Sequence, residues 1–173
     1  MAIVVLIPGP LGRRLNGLRR RLRADGGAGL PAHIPLVGPF RAEPSFLPLE
    51  QHLQAVCHET APFEAQLGPL AIDEEQLLIY ADVASGRGSL RALREALLTG
   101  RYAPPRDDAP YLPRAVLGRL ERQEDIGFAR EEMVVVAAGA PFFVQRVDLM
   151  ARYPDGAWYE RDFFTLDRTV SLA

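Results

Sequence analysis

The chain has 173 residues, of which 48% are hydrophobic and 24% charged, and its formal net charge is -2. These values are typical of one globular domain and argue against a protein that is held to nucleic acid by overall charge alone. The single cysteine, Cys57, excludes an internal disulfide, and no apolar run reaches the roughly 20 residues that span a bilayer, so we expect a cytoplasmic protein without a membrane partner.

The chain opens with a strand and a helix. Residues 2–7 form a continuous apolar run, which predicts a buried strand, and the prolines and glycine that follow end it. Leucines then recur at helical spacing with arginines on the remaining faces, so we expect an amphipathic helix that ends near Gly26. The leucine stripe consists of Leu11, Leu15, Leu18 and Leu22.

A second helix and two strands are predicted next. Ser45 is the expected N-cap of the helix, and residues 63–67 and 76–83 have the apolar patterns of strands. The apolar stripe of this helix is Leu49, Leu53 and Val56.

The remaining elements follow a third helix. Ser89 is its expected N-cap, and Gly100 lies just past its end. After it we expect a proline-rich loop at 102–113, a strand headed by Arg114, a charged helix at 121–132 and closing strands at 142–153 and 157–166.

One order of elements occurs twice. Strand, leucine-striped helix, loop and short strand run through residues 3–40 and again through 77–120. The strands outnumber what a parallel alternation would give, and hairpin turns are present, so we expect an α+β fold. The prediction is a single domain over residues 1–173 with two pseudo-symmetric lobes, antiparallel sheets, outer helices and a central cleft.

The short strand of each repeat begins with a polar residue. In the first repeat the segment is Pro31-Ala32-His33-Ile34-Pro35-Leu36-Val37-Gly38-Pro39-Phe40. In the second it is Pro113-Arg114-Ala115-Val116-Leu117-Gly118-Arg119-Leu120. Two such segments indicate that each half contributes one polar side chain to a shared cleft, a histidine from one half and an arginine from the other.

Alternation along a strand divides each segment into a core side and an open side. The core side is expected to hold Ile34, Leu36, Ala115 and Leu117. The open side is expected to hold His33, Pro35, Val37, Arg114 and Val116. Both segments therefore present their leading polar residue on the open side.

These segments, with Trp158-Tyr159 on the closing hairpin, resemble the 2H phosphoesterase superfamily, in particular its 2′-5′ RNA ligase-like and 2′,3′-cyclic phosphodiesterase branch. That family carries two His-x-Thr/Ser motifs. The resemblance implies that the paired histidines act as general base and general acid on a phosphodiester, while the two hydroxyls hold phosphate oxygens. We expect no metal and no cofactor.

The sequence departs from the family pattern at three of these four positions. Pro35 and Val116 stand where the hydroxyls would be, and Arg114 stands where the second histidine would be. Arginine stays protonated at physiological pH, so it is a poor acid or base, but its planar guanidinium is a good phosphate ligand. We expect His33 to be the catalytic residue and Arg114 and Arg119 to bind the substrate phosphate.

A second register of the downstream motif remains open. Pro110-Tyr111-Leu112-Pro113 mirrors residues 32–35 and puts Tyr111 in the place of the histidine, where it could donate a proton. That register turns Arg114 toward the core, which is an expensive position for an unpaired charge. We therefore favour Arg114 and keep Tyr111 as a candidate acid.

Two other clusters have simpler interpretations. The arginines of the first helix form a basic face, which is either solvated or a patch for the RNA backbone. They are Arg13, Arg14, Arg19, Arg20, Arg21 and Arg23. The other cluster, His52, Cys57 and His58, lacks the spacing of zinc ligands, so we expect no metal site there.

Three functions follow from these residues. The first is a degenerate protein of this family that binds an RNA end, a cyclic phosphate or a nucleotide in the cleft, with weak or no catalysis. The second is an active 2′,3′-cyclic phosphodiesterase, a hydrolase in which His33 is the base and Tyr111 or water supplies the acid. The third is an interaction module that kept the scaffold and lost the chemistry.

Overall fold

The computed structural model describes residues 1–24, 30–41, 46–106, 110–136 and 138–168. Within these ranges the chain forms four α-helices and eight strands. The helices are α1 (Gly9–Arg21), α2 (Leu47–His58), α3 (Arg87–Leu97) and α4 (Ile126–Val134). The strands are β1 (Ala2–Leu6), β2 (His33–Val37), β3 (Phe63–Asp73), β4 (Leu78–Ser85), β5 (Arg114–Arg119), β6 (Phe142–Val144), β7 (Arg146–Arg152) and β8 (Trp158–Thr165).

The strands lie in the order β6-β3-β4-β5-β2-β1-β7-β8, and each recorded pairing is antiparallel. The order is pseudo-symmetric about the boundary between β5 and β2. On the two sides of this boundary β4 corresponds to β1, and β3 corresponds to β7. The units β1-α1-β2 and β4-α3-β5 therefore occupy equivalent places. This arrangement confirms the predicted α+β fold and its internal repeat.

Main-chain hydrogen bonds repeat across this pseudo-twofold axis. The Ile7 amide donates to the Ala32 carbonyl at 3.2 Å, and the Val83 amide donates to the Pro113 carbonyl at 3.1 Å. Ala32 and Pro113 are the residues just before β2 and β5. The two bonds hold them next to β1 and β4, the strands that precede the helices α1 and α3. They align His33 of one half with Arg114 of the other.

The core lies between the outer helices and one face of the sheet. Leu15 and Leu18 of α1 are fully buried, as are Leu90 and Leu93 of α3. The residues that they cover on β2 and β5 are the predicted core set Ile34, Leu36, Ala115 and Leu117, each at most 1% exposed. These four residues confirm the expected core side of both strands, and the opposite face of the sheet carries the candidate site. Val37 was expected on the open side, and that prediction is wrong: it is 3% exposed and belongs to the core, because a register shift between β1 and β2 pairs it with the buried Ile3.

The predicted 142–153 strand is divided in two, with Gln145 between β6 and β7. β6 pairs with β3 at one edge of the sheet, whereas β7 pairs with β1 near the other edge. One intervening residue can connect the two strands only if the sheet curls so that its edges approach each other. The division is set by pairing with strands that are distant in the sequence. It therefore could not be predicted from the apolar pattern of residues 142–153.

Two helix boundaries differ from the sequence prediction. Gly86, in the left-handed conformation at φ 84°, stands at the N-cap position of α3, so Ser89 lies inside the helix and its predicted capping role is wrong. The charged helix begins only at Ile126, after a 3₁₀ turn at Gln123–Asp125. The predicted cap Ser45 and helix end near Gly26 lie outside the described residues. None of the helices described is both long and apolar enough to cross a bilayer.

Candidate functional site

Four strands bring one row of side chains to the open face of the sheet. Tyr80 of β4 pairs with Val116 of β5, Val116 pairs with His33 of β2, and His33 pairs with Leu6 of β1. Residues directly opposite each other in an antiparallel pair project from the same face. The row thus sets His33 and Val116 side by side at the pseudo-twofold axis.

A second row lies two residues along each strand. Asp82 pairs with Arg114, and Val4 pairs with both Pro35 and Asp148. Since Arg114 is two residues from Val116, its side chain leaves the same face as His33. His33 and Arg114 are diagonal neighbours across β2 and β5, a separation that long side chains span.

His33 is held as a neutral imidazole. The residue is only 9% exposed, and Nδ1 lies 2.7 Å from the Pro31 carbonyl oxygen. Because a carbonyl can only accept a hydrogen bond, Nδ1 carries the proton and Nε2 is left as an acceptor. Burial, with a smaller contribution from the nearby positive charge of Arg19, lowers the pKa of His33 to about 4. At neutral pH Nε2 is therefore unprotonated, and a pKa this far below 7 makes the ring a weak base.

Arg114 leans toward β4. Its Nη2 lies 3.5 Å from Asp82 Oδ1, and its Cζ lies 4.3 Å from the centre of the Tyr80 ring. Among the described residues the Arg114 Nε is buried without a hydrogen-bond partner. The guanidinium thus lies on the Tyr80 side of Val116, with His33 on the other side.

The two positions expected to carry hydroxyls are apolar. Pro35 and Val116 lie between the imidazole and the guanidinium on the same face. The site accordingly offers one neutral base, one permanent cation and an apolar floor. Such a set can bind a phosphate and accept one proton, but the second motif position holds an arginine, which stays protonated and cannot act as a second acid–base group.

Tyr111 lies ahead of β5, beside the hydrophobic core. Its hydroxyl donates to the Pro35 carbonyl at 2.9 Å, and the Arg94 guanidinium lies 4.7 Å from its ring centre. Burial raises the pKa of Tyr111. The hydroxyl proton is already engaged in this hydrogen bond, and the strand position equivalent to His33 is occupied by Arg114.

Arg119 and Arg114 are not brought together. Arg119 ends β5, is exposed, and donates to the Gln76 carbonyl at the turn between β3 and β4. Arg19 also departs from its expected place. It is 8% exposed and donates to the Leu117 carbonyl, so its assignment to the outer basic face is wrong.

Sequence reasoning missed Asp148, which is completely buried at the edge of the second row. Its Oδ2 accepts the Leu6 amide at 3.1 Å, and its Oδ1 lies 2.7 Å from Arg146 Nη2. Burial raises the pKa of Asp148 to about 6. A lone carboxylate inside an apolar strand was the available signal.

Tyr80 and Asp82 were missed as well, although their signal was present in the repeat. The unit β4-α3-β5 corresponds to β1-α1-β2, so Asp82 takes the place of Leu6 and Tyr80 that of Val4. Aligning the two halves would have set a carboxylate beside Arg114.

The histidines away from the cleft have protein partners. His52 Nε2 lies 2.9 Å from the Leu97 carbonyl oxygen, and His58 Nδ1 lies 2.9 Å from Asp167 Oδ1. In the part of the chain that the structure describes, no three His, Cys, Asp or Glu side chains are grouped so as to hold a metal ion.

Comparison with known proteins identifies relatives by sequence pattern and by fold. The family model of the 2′-5′ RNA ligase superfamily matches residues 7–156. TT0787 of Thermus thermophilus superposes with a TM-score of 0.65 at 18% identity, covering 95% of this chain and 96% of that one. No curated protein matches the chain by sequence.

Two crystal structures of LigT from E. coli are similar to the same extent. The complex with 3′-AMP gives a TM-score of 0.63 at 15% identity and covers 96% of this chain and 97% of that one. The complex with phosphate gives 0.58 at 16% identity, with 96% of each chain covered. At these identities the likeness is one of fold.

Proposed function

This chain belongs to the 2′-5′ RNA ligase superfamily, and on that premise we propose that it binds the phosphate of an RNA end, a cyclic phosphate or a nucleotide over His33 and Arg114, with weak or no catalysis. The observation that carries the proposal is the antiparallel register of β2 and β5. It supports a phosphate site because the imidazole and the guanidinium leave one face of the sheet as diagonal neighbours.

Phosphate binding rests on Arg114. A guanidinium forms paired hydrogen bonds with phosphate oxygens, and the Nε of Arg114 has no acceptor among the described residues. LigT of E. coli has been crystallised with both 3′-AMP and phosphate. By family likeness, a nucleotide phosphate is the ligand that we assign to this face.

Weak catalysis follows from what the site lacks. A second acid–base group contributes about 10²–10⁴ in rate, and an arginine cannot supply it. Pro35 and Val116 have no hydroxyl to stabilise the charge that develops on phosphate oxygens. His33 remains as the single proton acceptor.

Calorimetric titration with 3′-AMP and with inorganic phosphate tests the binding. Arg114→Gln keeps a polar, unbranched side chain but shortens it and removes the charge. We expect it to weaken the binding of both ligands about tenfold or more, since a charged hydrogen bond is lost. Arg91→Gln, an exposed arginine on α3, is the matched control and should leave both affinities unchanged. Equal affinities in wild type and Arg114→Gln would overturn the assignment, and no binding of either ligand would favour an interaction module instead.

The tautomer of His33 supports a second candidate, an active 2′,3′-cyclic phosphodiesterase. The unprotonated Nε2 can take a proton from the attacking water, and its pKa of about 4 makes it a weak base for this step at neutral pH. Tyr111 could act as the acid only by giving up its bond to the Pro35 carbonyl, so water is the simpler donor. His33→Ala should abolish hydrolysis of 2′,3′-cyclic nucleotides, and activity that survives this change would exclude the hydrolase.

A further inference from the structure

The outer surface of α1 carries a concentration of positive charge that the cleft does not use. The helix Gly9–Arg21 contains five arginines and no acidic residue, in a chain whose net charge is -2. The helices α2, α3 and α4 each include at least one glutamate. The exposed arginines of this helix and of the turn that follows it are Arg13, Arg14, Arg20, Arg21 and Arg23.

Most of these arginines are not neutralised. Arg21 is paired with Glu132 at 2.7 Å, but within the described ranges Arg13, Arg14 and Arg20 form no ion pair. Some exposed arginines elsewhere are paired with acidic side chains, namely Arg106, Arg122, Arg130 and Arg161. Arg91, Arg101 and Arg152 are exposed and form no ion pair among the described residues, so α1 is distinguished by having several unpaired arginines together on one helix. The unpaired charge on α1 raises the local concentration of anions.

These side chains border a groove between α1 and the end of α4. Its volume is about 460 Å³, with Arg13, Arg14 and Arg21 on one wall and Val135 and Val136 on the other. Gly17 also lines it and leaves the α1 wall open between the arginines. The groove is on the far side of the sheet from His33, because the inner leucines of α1 cover the core face of β2.

We propose that this groove binds the phosphodiester backbone of single-stranded RNA. The choice of RNA rests on the proposed function, whereas the binding of a polyanion rests on the charge alone. Arg14 and Arg21 are seven residues apart, which is about 10.5 Å along the helix axis, so they contact phosphates that are not adjacent. Guanidinium groups bind such phosphates through paired hydrogen bonds.

The lining also defines the kind of recognition. The side chains that line the groove in the described structure include no aromatic ring on which a base could stack. The interaction is therefore with the backbone, independent of sequence and strongly weakened by salt. The groove holds the strand at a second place while the cleft takes its phosphate end.

Fluorescence anisotropy of a labelled oligouridine 12-mer over a range of salt concentrations tests the groove. The double variant Arg13→Glu/Arg14→Glu should raise the Kd about tenfold or more and lower the slope of log K against log salt by about 1.4, because each phosphate that is no longer neutralised accounts for roughly 0.7. Binding of 3′-AMP should not change. Arg91→Glu/Arg101→Glu makes the same change in net charge on exposed residues outside the groove and should affect RNA binding much less.

Three outcomes would overturn the inference. The control variant could weaken RNA binding as much as the groove variant does, which would mean that the loss of affinity comes from net charge. A polyglutamate peptide or anionic phospholipid vesicles could compete with the 12-mer as well as unlabelled RNA does, which would assign the groove to an acidic protein or a membrane. The salt slope could stay unchanged. An error in the proposed phosphate site over His33 and Arg114 would give a different result. The wild type would then not bind 3′-AMP but would still bind the 12-mer in a salt-dependent way.

Discussion

Arg19 and Arg94 occupy equivalent positions on α1 and α3, and each donates its Nε–H to the motif strand of the opposite half. Arg19 donates to the Leu117 carbonyl of β5, and Arg94 donates to the Leu36 carbonyl of β2 at 2.9 Å. Leu36 and Leu117 are themselves equivalent, three residues after His33 and Arg114. The two buried arginines thus tie the halves together at the strands that carry the candidate site.

Loss of one of these bonds should destabilise the fold measurably. Arg94→Met removes a buried hydrogen bond from a charged donor, so we expect the free energy of unfolding to fall by about 1.5–3 kcal/mol. Arg19→Met should give a loss of similar size because its bond is equivalent. Urea unfolding followed by circular dichroism measures both.

The matched control for this pair is Arg91→Met, which changes an exposed arginine on the same helix as Arg94. Its effect should stay within about 0.5 kcal/mol. If Arg19→Met and Arg94→Met were no more destabilising than this control, the crossed hydrogen bonds would not be holding the two halves.

The burial of His33 should make stability depend on pH. Its folded pKa of about 4 is below the ordinary value of 6.5, so between these limits the unfolded chain binds more protons than the folded one. Stability from this residue is complete above pH 6.5 and is lost as pH falls toward 4, by up to about 1.4 kcal/mol per pH unit. His33→Asn keeps a donor for the Pro31 carbonyl and should remove this dependence.

The contribution of Asp148 to stability has the opposite pH dependence, so it must be distinguished from the contribution of His33. Its folded pKa of about 6 is above the ordinary 3.8, so its contribution falls as pH rises from about 4 to 6. The informative quantity is therefore the difference between wild type and His33→Asn at pH 5 and at pH 7. A difference that does not change between these two values, or an imidazole that titrates near 6.5 in the folded protein by NMR, would contradict the burial argument.

The sequence was sufficient for local periodicity but not for contacts between the halves. Leucine stripes located α1 and α3, and alternation assigned the faces of β2 and β5. Arg19 was placed on the surface because arginine usually is, although it shares a helix face with Leu15 and Leu22 at positions i, i+4 and i+7. Its partner carbonyl, on Leu117, comes from the other repeat and cannot be inferred from spacing within one helix.

Asp82 should restrain the affinity of Arg114 for anions. The carboxylate lies 3.5 Å from the guanidinium, and Asp82→Asn keeps its shape while it removes the charge. The pair is partly exposed. A surface pair is worth about 0.2–1 kcal/mol, so we expect 3′-AMP to bind up to about fivefold more tightly. Calorimetry at low salt measures the change. Weaker binding in Asp82→Asn would mean instead that Asp82 orients Arg114 for the ligand.

Restoring the family motif tests whether the missing groups alone limit catalysis. In the triple variant Arg114→His/Pro35→Thr/Val116→Thr, the second imidazole takes the position equivalent to His33, and a hydroxyl lies directly opposite His33 through the register of β2 and β5. Hydrolysis of 2′,3′-cyclic nucleotides should rise about 10²–10⁴-fold, the usual contribution of a second acid–base group. Arg114→His alone should gain less, because no hydroxyl then stabilises the phosphate oxygens. Adding His33→Ala to the triple variant should abolish the gain. A triple variant with the circular dichroism spectrum and unfolding midpoint of the wild type, but no faster hydrolysis, would show that the imidazole and hydroxyls are not what the cleft lacks.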